Sequence, residues 1–171
     1  DQILPKLRVN GDITGLLNAE DCRITDADNA IAPSAPASPI MTMIIAIDLQ
    51  EQEIANAVCY LDSTSGIYVS ENAIYLTQVD YSNSADESID RTIVHSFSLS
   101  TELNYLGSGA ADGQLVTGSN RDFRINEHEE YLRLITTKYT DNSADRVDHQ
   151  LSILRLADES LELETIDRLP N

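Results

Sequence analysis

The sequence predicts an all-β fold of four-stranded antiparallel blades, about two complete blades plus a partial one. Three observations carry that prediction. From residue 40 onward, short runs of β-branched and aromatic residues alternate with polar turns. No segment keeps a helical 3.6-residue period over three turns. The strands also recur at a fixed offset. Ile74-Tyr-Leu-Thr-Gln-Val79 is answered by Tyr131-Leu-Arg-Leu-Ile-Thr136, and Ser96-Phe-Ser-Leu99 by Ile153-Leu-Arg-Leu156, 57 residues later in both cases.

Residues 1–39 read as an irregular N-terminal segment. Leu7-Arg-Val9 and Cys22-Arg-Ile-Thr25 are candidate short strands within it, and Ala32-Pro-Ser-Ala-Pro-Ala-Ser-Pro39 is a loop. Residues 40–61 read as the last two strands of a partial blade. The apolar run Ile40 to Ile47 turns through Asp48-Leu-Gln-Glu-Gln-Glu53 into Ile54 to Leu61. A first complete blade is expected over 66–109. Its strand Ala73 to Tyr81 leads to Thr92 to Leu99, which places Ile93, His95, Phe97 and Leu99 on one face. A second is expected over 121–167, ending in the clean alternation Leu161-Glu-Leu-Glu-Thr165. Two related loops, Tyr81 to Asp90 and Tyr139 to Asp148, carry Asn-Ser-Ala-Asp at equivalent places in the two units. Four strands per unit at this period is the mark of a β-propeller blade. Propellers close with about four to eight blades. The chain is therefore expected to be a piece of a larger propeller, or to cover its open ends with the remaining blades or by self-association.

The residues also resemble a known family. Tyr60-Leu-Asp-Ser-Thr-Ser-Gly66, running on to Ala73-Ile-Tyr-Leu-Thr77, looks like a strand pair of the secreted bacterial and archaeal β-propeller family distantly related to WD repeats. Tyr105-Leu-Gly-Ser-Gly109 followed by Phe123 to Thr137, with its Tyr131-Leu-Arg run, is similar to that family's most specific line. Leu4 to Gly11 resembles a segment that precedes its apolar strand. The likeness runs from about Leu4 to Leu169 and departs at Glu130, where glycine is common. It implies an extracellular, periplasmic or cell-surface propeller domain with no established catalytic residue to carry over.

Charge excludes some partners. The chain holds 29 acidic and 11 basic residues, for a net charge of −18. With Lys6 and Lys138 its only lysines and no basic cluster, it repels phosphate backbones and anionic lipid, so no nucleic-acid partner is expected. The longest apolar run, Ile40 to Ile47, is far below the roughly 18 residues of a membrane-spanning helix. The chain begins at Asp1 with no signal-peptide pattern and reads as processed or as part of something longer. Cys22 and Cys59 could pair in an oxidising compartment. The strand Ala55 to Leu61 is equally a place where a free, buried cysteine is comfortable, and that reading is favoured.

Candidate chemistry is sparse. Asp80, Asn83, Asp86 and Asp90 in one loop, and Asp141, Asn142, Asp145 and Asp148 in the other, offer the oxygen ligands that calcium prefers. Asn, Asp and Ser also turn a chain by bonding their own backbone, and neither loop has EF-hand spacing, so the turn reading is favoured. Asp26 and Asp28 begin like a calcium loop that breaks at Ala30. No cofactor other than calcium is suggested. His95, on the apolar face of its strand, is expected to be a hydrogen-bonded core residue. His128 is expected to stabilise a hairpin turn. Arg133 interrupts an apolar strand and is expected to be buried against a carboxylate. The glycines from Gly107 to Gly113 miss nucleotide-loop spacing, and no Gly-x-Ser-x-Gly elbow occurs. The function expected is a non-catalytic module of an exported protein, a scaffold or surface for a protein or saccharide ligand. The alternatives are a calcium-dependent adhesive or structural module, and a hydrolase with a site at the propeller channel.

Overall fold

The computed structural model describes residues 4–9, 11–23, 40–83, 88–100, 102–115, 123–139, 147–157 and 160–168. It is all-β in its regular elements apart from one short 3-10 turn, Ala19–Asp21. A hairpin of β1 (Lys6–Val9) and β2 (Asp12–Gly15) comes first, followed by β3 (Cys22–Arg23). The Pro-rich loop and the calcium-like stretch at Asp26 and Asp28 lie outside the described residues. Next are β4 (Thr42–Asp48) and β5 (Glu53–Tyr60). The first blade holds β6 (Gly66–Val69), β7 (Ala73–Asn83), β8 (Ser88–Ser98) and β9 (Tyr105–Asp112). The second holds β10 (Ile125–His128), β11 (Tyr131–Tyr139), β12 (Val147–Ala157) and β13 (Ser160–Arg168).

Within each blade, successive strands pair antiparallel. The turns explain the register. In the partial blade, Asp48 Oδ1 accepts the amides of Gln50 at 2.8 Å and Glu51 at 3.1 Å, and Gln52 closes the turn at φ 57. In the first blade, Ser70 Oγ accepts the amides of Asn72 and Ala73 at 3.1 and 2.9 Å. His128 pairs with Tyr131 across a two-residue loop, with Glu129 at φ 58. The expected place of His128 at a hairpin end is thus observed, and the positive φ falls one residue before Glu130.

Two pairings are parallel. β3 lies beside β5, Cys22 opposite Cys59, and the blades meet in the single pair Ser160 and Ser108 of β13 and β9. Neither pair is joined by a hairpin, so chain direction does not force them antiparallel. Beside the second junction the chain after β9 crosses β11, where Gln114 bridges Thr137. Gly113 makes that approach at φ +82, and a Cβ there would stand 2.9 Å from the Thr137 carbonyl oxygen.

The sheets stack face to face. The pleat sends Ala73, Tyr75, Val94 and Ala111 to one side of the first blade, where they pack on Leu132, Leu134 and Leu154 of the second. The opposite side sends Leu76 and Phe97 against Tyr60, with Ile44 and Val58 beside them. The first blade is therefore covered on both faces. That is why small polar side chains such as Thr92 and Ser96 are buried beside Ile93 and Phe97 in one strand.

Candidate functional site

The three-stranded sheet of β3, β5 and β4, called the first sheet below, and the first blade leave a cleft of about 210 Å³ between them. Arg23 of β3 and Asn56 of β5 form one wall. Tyr105 of β9 and the turn residues Glu102 and Asn104 form the other. The disulfide between Cys22 and Cys59, with Cα atoms 4.4 Å apart, fixes β3 to β5 and so positions Arg23. The favoured expectation of a free Cys59 is corrected. Its partner strand is only two residues long, too short to be read as the neighbour of β5.

The opposite wall is held by its own hydrogen bonds. Ser98 Oγ accepts the Asn104 amide at 2.8 Å, and Ser100 Oγ accepts the Glu102 amide at 3.3 Å. Asn104 Nδ2 donates to Glu102 Oε2 at 3.0 Å. Leu103 adopts φ 48, which turns its side chain down into the core. Asn56 Nδ2 reaches across to the Glu102 carbonyl. The Arg23 guanidinium lies 5.5 Å from the centre of the Tyr105 ring, in cation–π range. The cleft thus offers amide, carboxylate and guanidinium groups around an aromatic ring. That set recognises polar ligands by hydrogen bonding.

Below the cleft the aromatic chain continues inward. Phe97 meets Tyr105 edge-on, with ring centres 5.4 Å apart, and the His95 ring lies tilted by 39° against Tyr60, centres 4.3 Å apart. Tyr60 OH donates to Gln78 Oε1, and Gln78 Nε2 donates to Asp62 Oδ2, each at 3.1 Å. His95 Nδ1 reaches Tyr105 OH only at 3.5 Å, and Nε2 has no partner among the described residues. Burial pulls the His95 pKa down to about 4, against the opposing charge of Asp62.

A second polar cluster pins the two blades together. Glu127 of β10 accepts from Ser70 Oγ at 2.5 Å, Tyr75 OH at 2.8 Å and Asn72 Nδ2 at 3.0 Å. Its own amide donates to Tyr68 OH at 3.1 Å. Burial pushes the Glu127 carboxyl up, but the bonds from Ser70, Asn72 and Tyr75 outweigh it and hold it below its ordinary value. Burial, then the hydrogen bond and charge of Glu127, push the Tyr75 phenol well above its own.

These antiparallel blades, which the Ser160–Ser108 pair joins into one eight-stranded sheet order beside the three-stranded sheet of β3, β5 and β4, agree with one comparison. A model described as the beta propeller domain matches residues 1–170. The chain belongs to that family. Among curated proteins none matches it. The propeller assignment agrees with the repeat read from the sequence.

The residues singled out in the sequence scatter over this propeller. Asp80 is buried and its Oδ2 accepts from Arg91 Nε at 3.0 Å. Asp90 Oδ2 accepts from Gln114 Nε2 at 2.6 Å. Asn83 ends β7 opposite Ser88, and Asp148 lies opposite Lys138. Asp86, Asp141, Asn142 and Asp145 lie outside the described residues. Among the described residues no three His, Cys, Asp or Glu side chains gather into a metal site. His95 is in the core as expected, 2% exposed, although its hydrogen bonding is poorer than expected. Arg133 corrects the expectation of burial. Leu132 and Leu134 take the inner face of β11, so the pleat turns Arg133 out to solvent, and it makes no ion pair with a described residue. Arg23, Tyr105, Asn56 and Glu127 were not singled out. The three at the cleft lie in segments already read as strands or as part of a family line: Arg23 in Cys22-Arg-Ile-Thr25, Asn56 in Ala55 to Leu61 and Tyr105 in Tyr105-Leu-Gly-Ser-Gly109.

Proposed function

We propose that this propeller module is a non-catalytic part of an exported protein, a scaffold that offers its cleft to a protein or saccharide ligand. The observation that carries the reading is the cleft itself, with Arg23 over Tyr105 and the amides of Asn56 and Asn104 at its rim. Hydroxyl-rich or extended peptide ligands match such a set of donors and acceptors. Export, and kinship with a secreted family distantly related to WD repeats, are supported by the resemblance and by the Cys22–Cys59 disulfide. Disulfides persist in oxidising compartments. The non-catalytic reading is supported by where the candidate acid and base groups sit. His95 and Glu127 are committed to sheet interfaces, and Asp80 is committed to Arg91. A calcium-dependent role would have to displace Arg91 from Asp80 and Gln114 from Asp90, so unchanged melting at millimolar calcium is the expected outcome.

The test is a glycan array and a peptide library probed with the full chain, repeated with Arg23→Ala and Asn104→Ala. Hits that weaken at least tenfold in both variants, with melting unchanged, fit the reading. Hits indifferent to both variants place the binding elsewhere and sink it.

A further inference from the structure

Among the described residues Arg23 is the cleft's one guanidinium, and the strand that carries it is weakly held. β3 is two residues long and lies at the edge of the sheet order β3-β5-β4. Its pairing is parallel and covers two positions, Cys22 with Cys59 and Arg23 with Tyr60. At its far end the Leu61 amide donates to the Arg23 carbonyl at 2.9 Å. Parallel ladders are slightly weaker per residue than antiparallel ones. A ladder this short does not offset the entropy of ordering its own backbone.

The segment before β3 adds little hold. The amide and Nδ2 of Asn18 donate to Asp21 Oδ2 at 2.7 and 3.2 Å, which closes the 3-10 turn on itself, and neither bond reaches β5. Packing holds the chain as far as Leu17, buried with Ala57 and Cys59, while Cys22 is only partly buried against that cluster. The Arg23 side chain is exposed and meets Tyr105 across 5.5 Å. Among the described residues the Cys22–Cys59 bond is the covalent tie that seats residues 18–23 on β5.

We propose that this disulfide is a redox gate on the cleft: oxidation seats Arg23 over Tyr105 and completes the binding wall, and reduction releases residues 18–23 and takes that wall apart. The gate rests on the reading of the cleft as the ligand site. Its chemistry is thiol–disulfide exchange with a carrier disulfide. Cys59 is 1% exposed, so the carrier enters at Cys22. The Cys22 thiolate attacks one carrier sulfur, forms a mixed disulfide and expels a carrier thiolate. The Cys59 thiolate then attacks Cys22 Sγ and expels the second carrier sulfur as a thiolate. The protein gives up two electrons and two protons, and the carrier leaves as a dithiol. A reducing compartment keeps both cysteines as thiols. The chain therefore presents Arg23 to a ligand only after it reaches an oxidising one.

Iodoacetamide labelling of the full chain after reduction by a dithiol is the first measurement, with each cysteine followed by mass spectrometry. Thiol reactivity follows exposure, so Cys22 should label close to its rate in urea and Cys59 at least tenfold more slowly. Slow labelling of both means that the surrounding chain keeps β3 seated without the bond, and overturns the proposal. Fast labelling of both means that reduction opens the whole chain, and overturns a local gate. The second measurement repeats the glycan array and the peptide library with the reduced chain and with a variant carrying Cys22→Ser and Cys59→Ser. Hits that depend on Arg23 should weaken at least tenfold in both, and return when the reduced chain is reoxidised. Arg23-dependent hits indifferent to reduction overturn the gate and leave the cleft reading standing. An array with no Arg23-dependent hit sinks the cleft reading, and the gate with it, whatever the labelling shows.

Discussion

His95 offers the sharpest test of the stacked interior. Its ring lies against Tyr60 between the first sheet and the first blade, and burial lowers its pKa from 6.5 to about 4. The sign follows from proton uptake. Between pH 6.5 and 4 the unfolded chain binds a proton that the folded chain refuses. Stability from this group is therefore complete above about pH 6.5 and is lost as the pH falls toward 4. A gap of about 2.5, at about 1.4 kcal/mol for each pH unit, amounts to about 3 kcal/mol. The perturbation is His95→Phe, which keeps an aromatic ring in the stack and removes the titration. Urea midpoints at pH 7, 6 and 5 are the assay, since most carboxylates titrate lower. The natural chain should lose stability across this range, and His95→Phe should be nearly flat. Parallel slopes would refute the reasoning. So would an imidazole resonance of His95 that titrates near pH 6.5.

Two further outcomes follow from the same geometry. Gly113→Ala must hold alanine at positive φ and press its Cβ on the Thr137 carbonyl, so it should cost about 2–4 kcal/mol, read as a lower urea midpoint. Reducing the Cys22–Cys59 disulfide opens a loop with a sequence separation of 37. Loop-closure entropy puts the loss near 4 kcal/mol, and Cys22→Ser should match reduction in a denaturant titration.

Much of the fold was legible in the sequence because it repeats. The offset between Ile74 and Tyr131 matches β7 to β11, the second strands of the two blades. In the sequence the two Asn-Ser-Ala-Asp segments come between the second and third strands of each blade, the first of them starting at Asn83, the last residue of β7. What failed was local burial. Tyr131 to Thr137 is apolar enough to read as buried on both faces, yet only the side bearing Leu132 and Leu134 faces the first blade. Arg133 was misread for that reason. The cleft was illegible because its walls are remote in sequence. Arg23 reaches Tyr105 only after a two-residue strand is fixed beside β5 by the disulfide. The Glu127 cluster was hidden differently. Ser70 and Glu127 are one repeat apart, so the period makes them equivalent positions. Face-to-face stacking of the blades is what brings equivalents into contact.

That stacking is the central claim, and a double-mutant cycle across it is the most direct measurement. Tyr75 and Glu127 belong to different blades and meet at 2.8 Å. Tyr75→Phe, Glu127→Gln and the double variant are compared by urea unfolding at pH 7. A hydrogen bond to a charged acceptor, partly exposed, predicts a coupling of about 1–2 kcal/mol. Additivity within about 0.5 kcal/mol would mean that the two side chains do not meet, and would contradict the stacked arrangement of the blades.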